Sequence, residues 1–243
     1  MRLIITLAML CFFCAGVSAQ DGIYGSLNIG SKMVDLENLN SWLNSDLTKQ
    51  NLGDFGEFNT NTFTIGGGGY VIIAKRFLLG GKGQIMLPQV LSDDNNIKLK
   101  LNGGAGEATL GFVLLSHAFR LYPYVGVGLS GFMLQRLDTL PAVTDNRKFE
   151  DVLADDRQSV IQRGGLITDA GVALDLYLKT IKLLSFIKGL ETGPFIGIQA
   201  GYYMLPIKTH WMRDDKTVEN NPAIKWDGLY IEAKIGLGFS SGR

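Results

Sequence analysis

From residue 20 onward, apolar and polar positions alternate. In the last segment Leu229, Ile231, Ala233, Ile235, Leu237 and Phe239 share one face, and Tyr230, Glu232, Lys234, Gly236 and Gly238 share the other. Period-2 alternation marks a strand whose two faces meet different surroundings. The same rhythm, less clean, runs through 23–29, 63–73, 77–87, 104–114, 121–133, 166–178 and 196–204. The pattern predicts eight strands of about 9 to 13 residues, close to the roughly 9 to 11 that a tilted strand needs to cross a bilayer. No apolar run past residue 20 approaches the length of a spanning helix. A chain of this kind can enter hydrocarbon only as a closed barrel, which leaves no backbone group unpaired.

The connections vary in length. Ala74–Arg76 and Ser116–Arg120 read as tight turns, while 31–61, 135–163 and 206–227 are long and 88–102 and 179–192 intermediate. Sorting the turns to one end and the long loops to the other gives an all-β, eight-stranded antiparallel up-and-down transmembrane β-barrel with long outer loops and short periplasmic turns. The 179–192 connection is longer than this scheme wants and is expected to hold a helical turn. On the outward face Phe77, Phe112 and Phe239 fall at the periplasmic rim and Phe63 and Tyr202 near the outer one, as expected of rings at a lipid–water boundary.

The segment Leu121-Tyr122-Pro123-Tyr124-Val125-Gly126-Val127-Gly128 and the final strand closing on Phe239 resemble the small eight-stranded outer-membrane barrels typified by OmpA, OmpX and OmpW, and similar barrels of Bacteroidetes. The resemblance covers nearly all of residues 22 to 239. It implies a place in the outer membrane among its lipid and lipopolysaccharide, and recognition of the terminal aromatic by the barrel-assembly machinery. Here Ser240 to Arg243 follow that aromatic.

The N-terminus reads as an export address. Arg2 precedes an apolar stretch from Leu3 to Val17, and Val17-Ser18-Ala19 supplies the small residues of a cleavage site. Residues 1–19 are thus a signal peptide and 20–243 the barrel domain. Cys11 and Cys14 both lie in the removed segment, so no thiol chemistry is expected. Lys and Arg number 23, as do Asp and Glu. Without the basic excess of a nucleic-acid binder, such a partner is not expected. Glycine is abundant at 31 of 243 residues; runs such as Gly66–Gly69 are read as permitting curvature and close strand approach.

An eight-stranded barrel has room for its own side chains or one small ligand. Parity turns Lys82, Glu107, Asp169, Asp175, Glu232 and Lys234 inward at mid-strand, and Arg136 and Arg163 inward near the outer rim. An unpaired buried charge costs several kcal/mol, so four acids facing four bases imply a paired, sparsely hydrated network. It either fills the lumen or, by exchanging partners, gates a narrow path; filling is the simpler expectation.

Other motifs carry little chemistry. Gly126 to Gly131 matches G-x-G-x-x-G but lies inside a strand, not between strand and helix. Lys82 follows two glycines without the Ser or Thr of a phosphate loop. The two histidines, His117 and His210, fall in different connections, so no metal site, cofactor or catalytic set is expected. The acids Asp145, Glu150, Asp151, Asp155 and Asp156 are read as a solvated face. In the first outer loop Met33, Leu36, Leu39, Leu43 and Leu47, with Trp42 beside them, recur at helical spacing. That stripe is expected to pack on its own barrel rim; a lumen cap or an unknown surface partner are the alternatives. The expected function is that of a non-enzymatic barrel acting through its outer loops, in surface interaction or envelope stabilisation. A narrow transporter or channel and a secreted lipocalin-like binder are the rival readings.

Overall fold

The computed structural model describes residues 22–46, 49, 54–74, 76–93, 97–116, 119–138, 160–178, 190–207, 212–213, 216–217, 222 and 224–241. Segment 1–19, Leu47, His117, His210, the acids of 145–156 and nearly all of 179–192 lie outside them. The wall consists of β1 (Gly22–Met33), β2 (Asn61–Ile73), β3 (Phe77–Ser92), β4 (Ile97–Phe112), β5 (Phe119–Asp138), β6 (Val160–Tyr177), β7 (Leu190–Ile207) and β8 (Gly228–Ser241). Each strand pairs antiparallel with its successor. β1 also pairs with β8, from Ile23↔Phe239 to Lys32↔Tyr230, so the sheet closes on itself. A short helix, α1 (Glu37–Leu43), follows β1.

The two faces of the wall are opposite in character. Along β8, Ile231 and Ile235 are 59% and 62% exposed, whereas Glu232 and Lys234 are 3% and 5% exposed. Leu27, Ile29, Ile85, Leu110, Val125, Leu129, Ile198 and Leu237 extend the aliphatic exterior around the barrel. A lipocalin-like binder needs the reverse, an apolar interior and a polar exterior. Aliphatic side chains open on the outside of a closed β-cylinder call for hydrocarbon as the surrounding solvent. Phe77 and Phe112 pack edge to face at the short-turn end, with ring centres 5.6 Å apart.

The strands are longer than the alternation predicts, 12 to 20 residues. Twenty residues at about 3.3 Å each, tilted by about 40°, rise about 50 Å, roughly twice the apolar band of such barrels. Most of the excess lies at the outer end, where outward positions turn polar; β7 instead gains Leu190–Phe195 at the short-turn end. The expected 88–102 loop is mostly strand: β3 runs to Ser92, β4 begins at Ile97, and their connection shrinks to 93–96. The register shifts between Met86 and Gln89, across Pro88, which has no N–H to give the ladder. Outer connections are therefore not uniformly long.

Candidate functional site

The lumen is filled in layers, each built from inward positions of neighbouring strands. Nearest the short turns, the Arg120 guanidinium lies over the rings of Tyr24 and Tyr177, at 4.2 and 4.8 Å. It donates to the Tyr24 hydroxyl at 3.0 Å and to the Tyr70 and Tyr177 hydroxyls at 3.4 Å. Above it, Asp175 accepts from Tyr70 (2.6 Å) and Tyr122 (3.1 Å) and pairs with Lys234 at 2.6 Å. Lys234 also donates to Tyr122 at 2.8 Å.

The middle layer turns on Lys82, whose ammonium lies 3.1 Å from Glu107 and 3.2 Å from Asp169. Tyr230 donates to Asp169 at 2.9 Å and shares a short hydrogen bond with Tyr124. The Tyr203 hydroxyl lies 3.3 Å from Glu107 and gives its proton to the Gln84 amide oxygen at 2.6 Å, and Gln199 donates to Glu232. The Gln84 amide, oriented to satisfy its neighbours, donates to Glu232 and accepts from Lys32, both at 2.9 Å. Lys32 is 1% exposed, with its ammonium 3.6 Å above the Tyr203 ring and 4.2 Å from the Trp226 ring. Space for these groups comes from glycines on facing strands. A β-carbon at Gly197 would land on the Asp175 carboxylate, and one at Gly201 on the Tyr230 hydroxyl. A cavity of about 40 Å³, bordered by Ser26, Asn28, Tyr122 and Lys234, admits a few waters.

Toward the outer mouth the filling becomes apolar. Trp226 stacks on Phe132, ring centres 4.8 Å apart. Leu36, Leu39 and Leu43 of the first outer segment join one continuous buried cluster with Leu99, Leu101, Leu134 and Ile224. The α1 stripe is thus buried against the inner wall of its own barrel. Asn40, on the same buried side, donates to the Phe58 carbonyl and accepts from its N–H, each at 2.9 Å. Outside, Asp35 and Lys225 pair at 3.0 Å and exchange backbone hydrogen bonds, fastening the first outer segment to the last. The hydrogen bond to Asp35 raises the Lys225 ammonium above its ordinary pKa.

The six mid-strand residues chosen by parity, Lys82, Glu107, Asp169, Asp175, Glu232 and Lys234, are brought together in the lumen. The side chains of Arg136 and Arg163 lie outside the description. Two further bases enter the lumen from beyond the expected strand ends: Lys32, because β1 runs on to Met33, and Arg120, because β5 begins at Phe119 inside the expected turn. Lys32, Lys82, Arg120 and Lys234 face Glu107, Asp169, Asp175 and Glu232, four cations against four anions among the described residues. Tyr230 shares the charged face of β8 by parity, and the same rule marks six more tyrosines, Tyr24, Tyr70, Tyr122, Tyr124, Tyr177 and Tyr203, as lumen filling; Tyr202 points outward, 43% exposed. In the first outer segment Met33 does not belong to the helical stripe. It ends β1, faces outward and is 47% exposed.

No family model and no curated protein matches this chain. Among solved structures it is similar to Ail, the attachment invasion locus protein of Yersinia pestis, crystallised with the heparin analogue sucrose octasulfate. The two are 10% identical over 90% of this chain and 98% of that one, with a TM-score of 0.47. Neisserial surface protein A is 12% identical over 89% and 95% of the two chains, with a TM-score of 0.35. The closed wall, its aliphatic exterior and its ionic interior make this chain a small eight-stranded barrel of the outer-membrane type.

Proposed function

We propose that the protein is a non-enzymatic, non-conducting barrel that acts at its outer end, as a surface interaction or envelope-stabilising element. The observation that carries this reading is the filled lumen. Four cations, four anions and seven tyrosines occupy it in mutual contact, and the apolar mouth lies above them. A conducting path would need several of these ion pairs to separate, each exposing a desolvated charge. The exterior of α1, with Glu37, Asn38 and Ser41 exposed, faces away from the buried cluster and is free to meet other molecules.

Two measurements test this. In planar bilayers, wild type and Lys234→Ala should both give no channel events; steady unitary conductance in wild type would overturn the reading. A photocrosslinker at Ser41 in intact cells should give a discrete adduct that one at outward-facing Leu237 does not. The same products from both positions would remove the outer end as the working surface.

A further inference from the structure

Among the described strand residues, the outward wall carries two charged side chains, both lysines and both on β4. Leu99 and Leu101 are buried at 3% and 0% exposure, so Lys98 and Lys100 point to the outer face. Their register neighbours there are Ser92 and Val90 on β3, and Gln135 beside Lys100 on β5. Among the described residues no acid of the wall faces them, and neither lysine has an ion pair or hydrogen bond. Immediately below, toward the membrane centre, the outer surface holds a groove of about 430 Å³. Its floor is Gly104, Gly131 and Gly164, which stand in one register row across β4, β5 and β6. Asn102 and Met133 form its outer edge. The Asn102 side-chain amide oxygen is shielded from solvent and has no hydrogen-bond partner among the described residues.

We infer that this groove and the two lysines form a site for an outer-leaflet lipid with a phosphorylated headgroup. One acyl chain would lie on the glycine floor, and the phosphate would meet Lys98 and Lys100. The position selects the occupant. The groove opens where outward residues change from aliphatic to polar, at the boundary between hydrocarbon and headgroups. Lysines at that level lay their stems along the wall and hold their ammonium groups in the headgroup zone. Two such charges two residues apart on one strand face favour an anion over a zwitterion. The volume falls in the range of about 300 to 1,000 Å³ found for small-ligand sites. This inference depends on the outward face meeting lipid and is independent of what the outer loops contact.

The test uses the full barrel in a zwitterionic detergent, titrated with phosphorylated lipid A, the same lipid with its phosphates removed, phosphatidylcholine, and inorganic phosphate. Phosphorylated lipid A should bind best. Lys98→Gln with Lys100→Gln should weaken it about 25-fold, taking about fivefold for each lysine near an anionic headgroup. The double Arg variant should restore binding. Gly164→Leu fills the groove where a β-carbon meets only the Ser130 carbonyl at ordinary contact, and should also weaken binding. Heat-modifiable gel mobility, the signature of an intact barrel, should be unchanged in all variants. Equal binding of the dephosphorylated lipid, or a double Gln variant that binds like wild type, would overturn the inference. So would inorganic phosphate matching the lipid in affinity, or indifference to Gly164→Leu.

Discussion

The barrel holds two different cores, one above the other. At mid-height Lys82, Glu107, Asp169 and the surrounding tyrosines make an ionic core whose side chains are almost wholly enclosed. At the outer mouth Leu36, Leu39, Leu43, Phe58, Ile224 and Trp226 make an apolar core of the kind found in a water-soluble domain. The difference follows from what lies outside the wall. At mid-height the wall is surrounded by hydrocarbon, so moving aliphatic side chains inward would gain nothing and leave polar ones facing lipid. The outer part stands in water, where each Å² of apolar surface removed from solvent is worth about 25 cal/mol. The same strands therefore change the chemistry of their inner face as they leave the membrane: β4 presents Glu107 inward at mid-height and Leu101 and Leu99 above it.

The sharpest way to break this contrast is to remove the charge at the centre of the lower core. Lys82→Met leaves Glu107 and Asp169 buried without their cation and should destabilise the barrel by about 3 to 5 kcal/mol, read from urea unfolding in micelles. Replacing all three by apolar residues of similar volume should recover much of that loss; no recovery would mean that the ionic core cannot be exchanged for a greasy one. In the upper core, Leu39→Ala should cost about 2 to 5 kcal/mol. Sulfate should offset part of that cost, since excluded salts strengthen apolar burial, and the same salt should help Lys82→Met less. Asn40→Ala, which strands the Phe58 backbone groups, should cost about 1 to 3 kcal/mol. Lys225→Ala, at a half-exposed pair on the rim, should change stability by about 1 kcal/mol or less. A large effect there would show that the fastening between the first and last outer segments holds the upper core together.

How much of this was legible in the sequence depends on height in the barrel. At mid-height, lipid outside and charge inside give each strand two unlike faces, and simple parity finds Lys82, Glu107, Asp169, Asp175, Glu232 and Lys234. Above the membrane the two faces exchange character, as on β4 where Leu99 and Leu101 turn inward and Lys98 and Lys100 outward, so strand ends drawn for a greasy exterior stop short. That is how Lys32 fell into a loop, although it points inward like its partners. Two register shifts, at Met86/Gln89 and Leu166/Thr168, add to this. Pro88 interrupts the first and Pro206 lies on β7 beside the second, so inward parity changes within a strand and its period-2 signal cancels. The helical spacing of Leu36, Leu39 and Leu43 marked a real helix, but spacing alone cannot say that Met33 has already turned outward as the last residue of β1.

The seam between β1 and β8 has a consequence for how the molecule comes into being. Gly22 to Met33 is made first and Gly228 to Ser241 last, and each leaves a bare hydrogen-bonding edge until the other arrives. No partial cylinder emerging from the ribosome can satisfy that first edge. The wall can close only when its last strand, the fourteen residues Gly228–Ser241, is present to meet β1, so sealing is a late step.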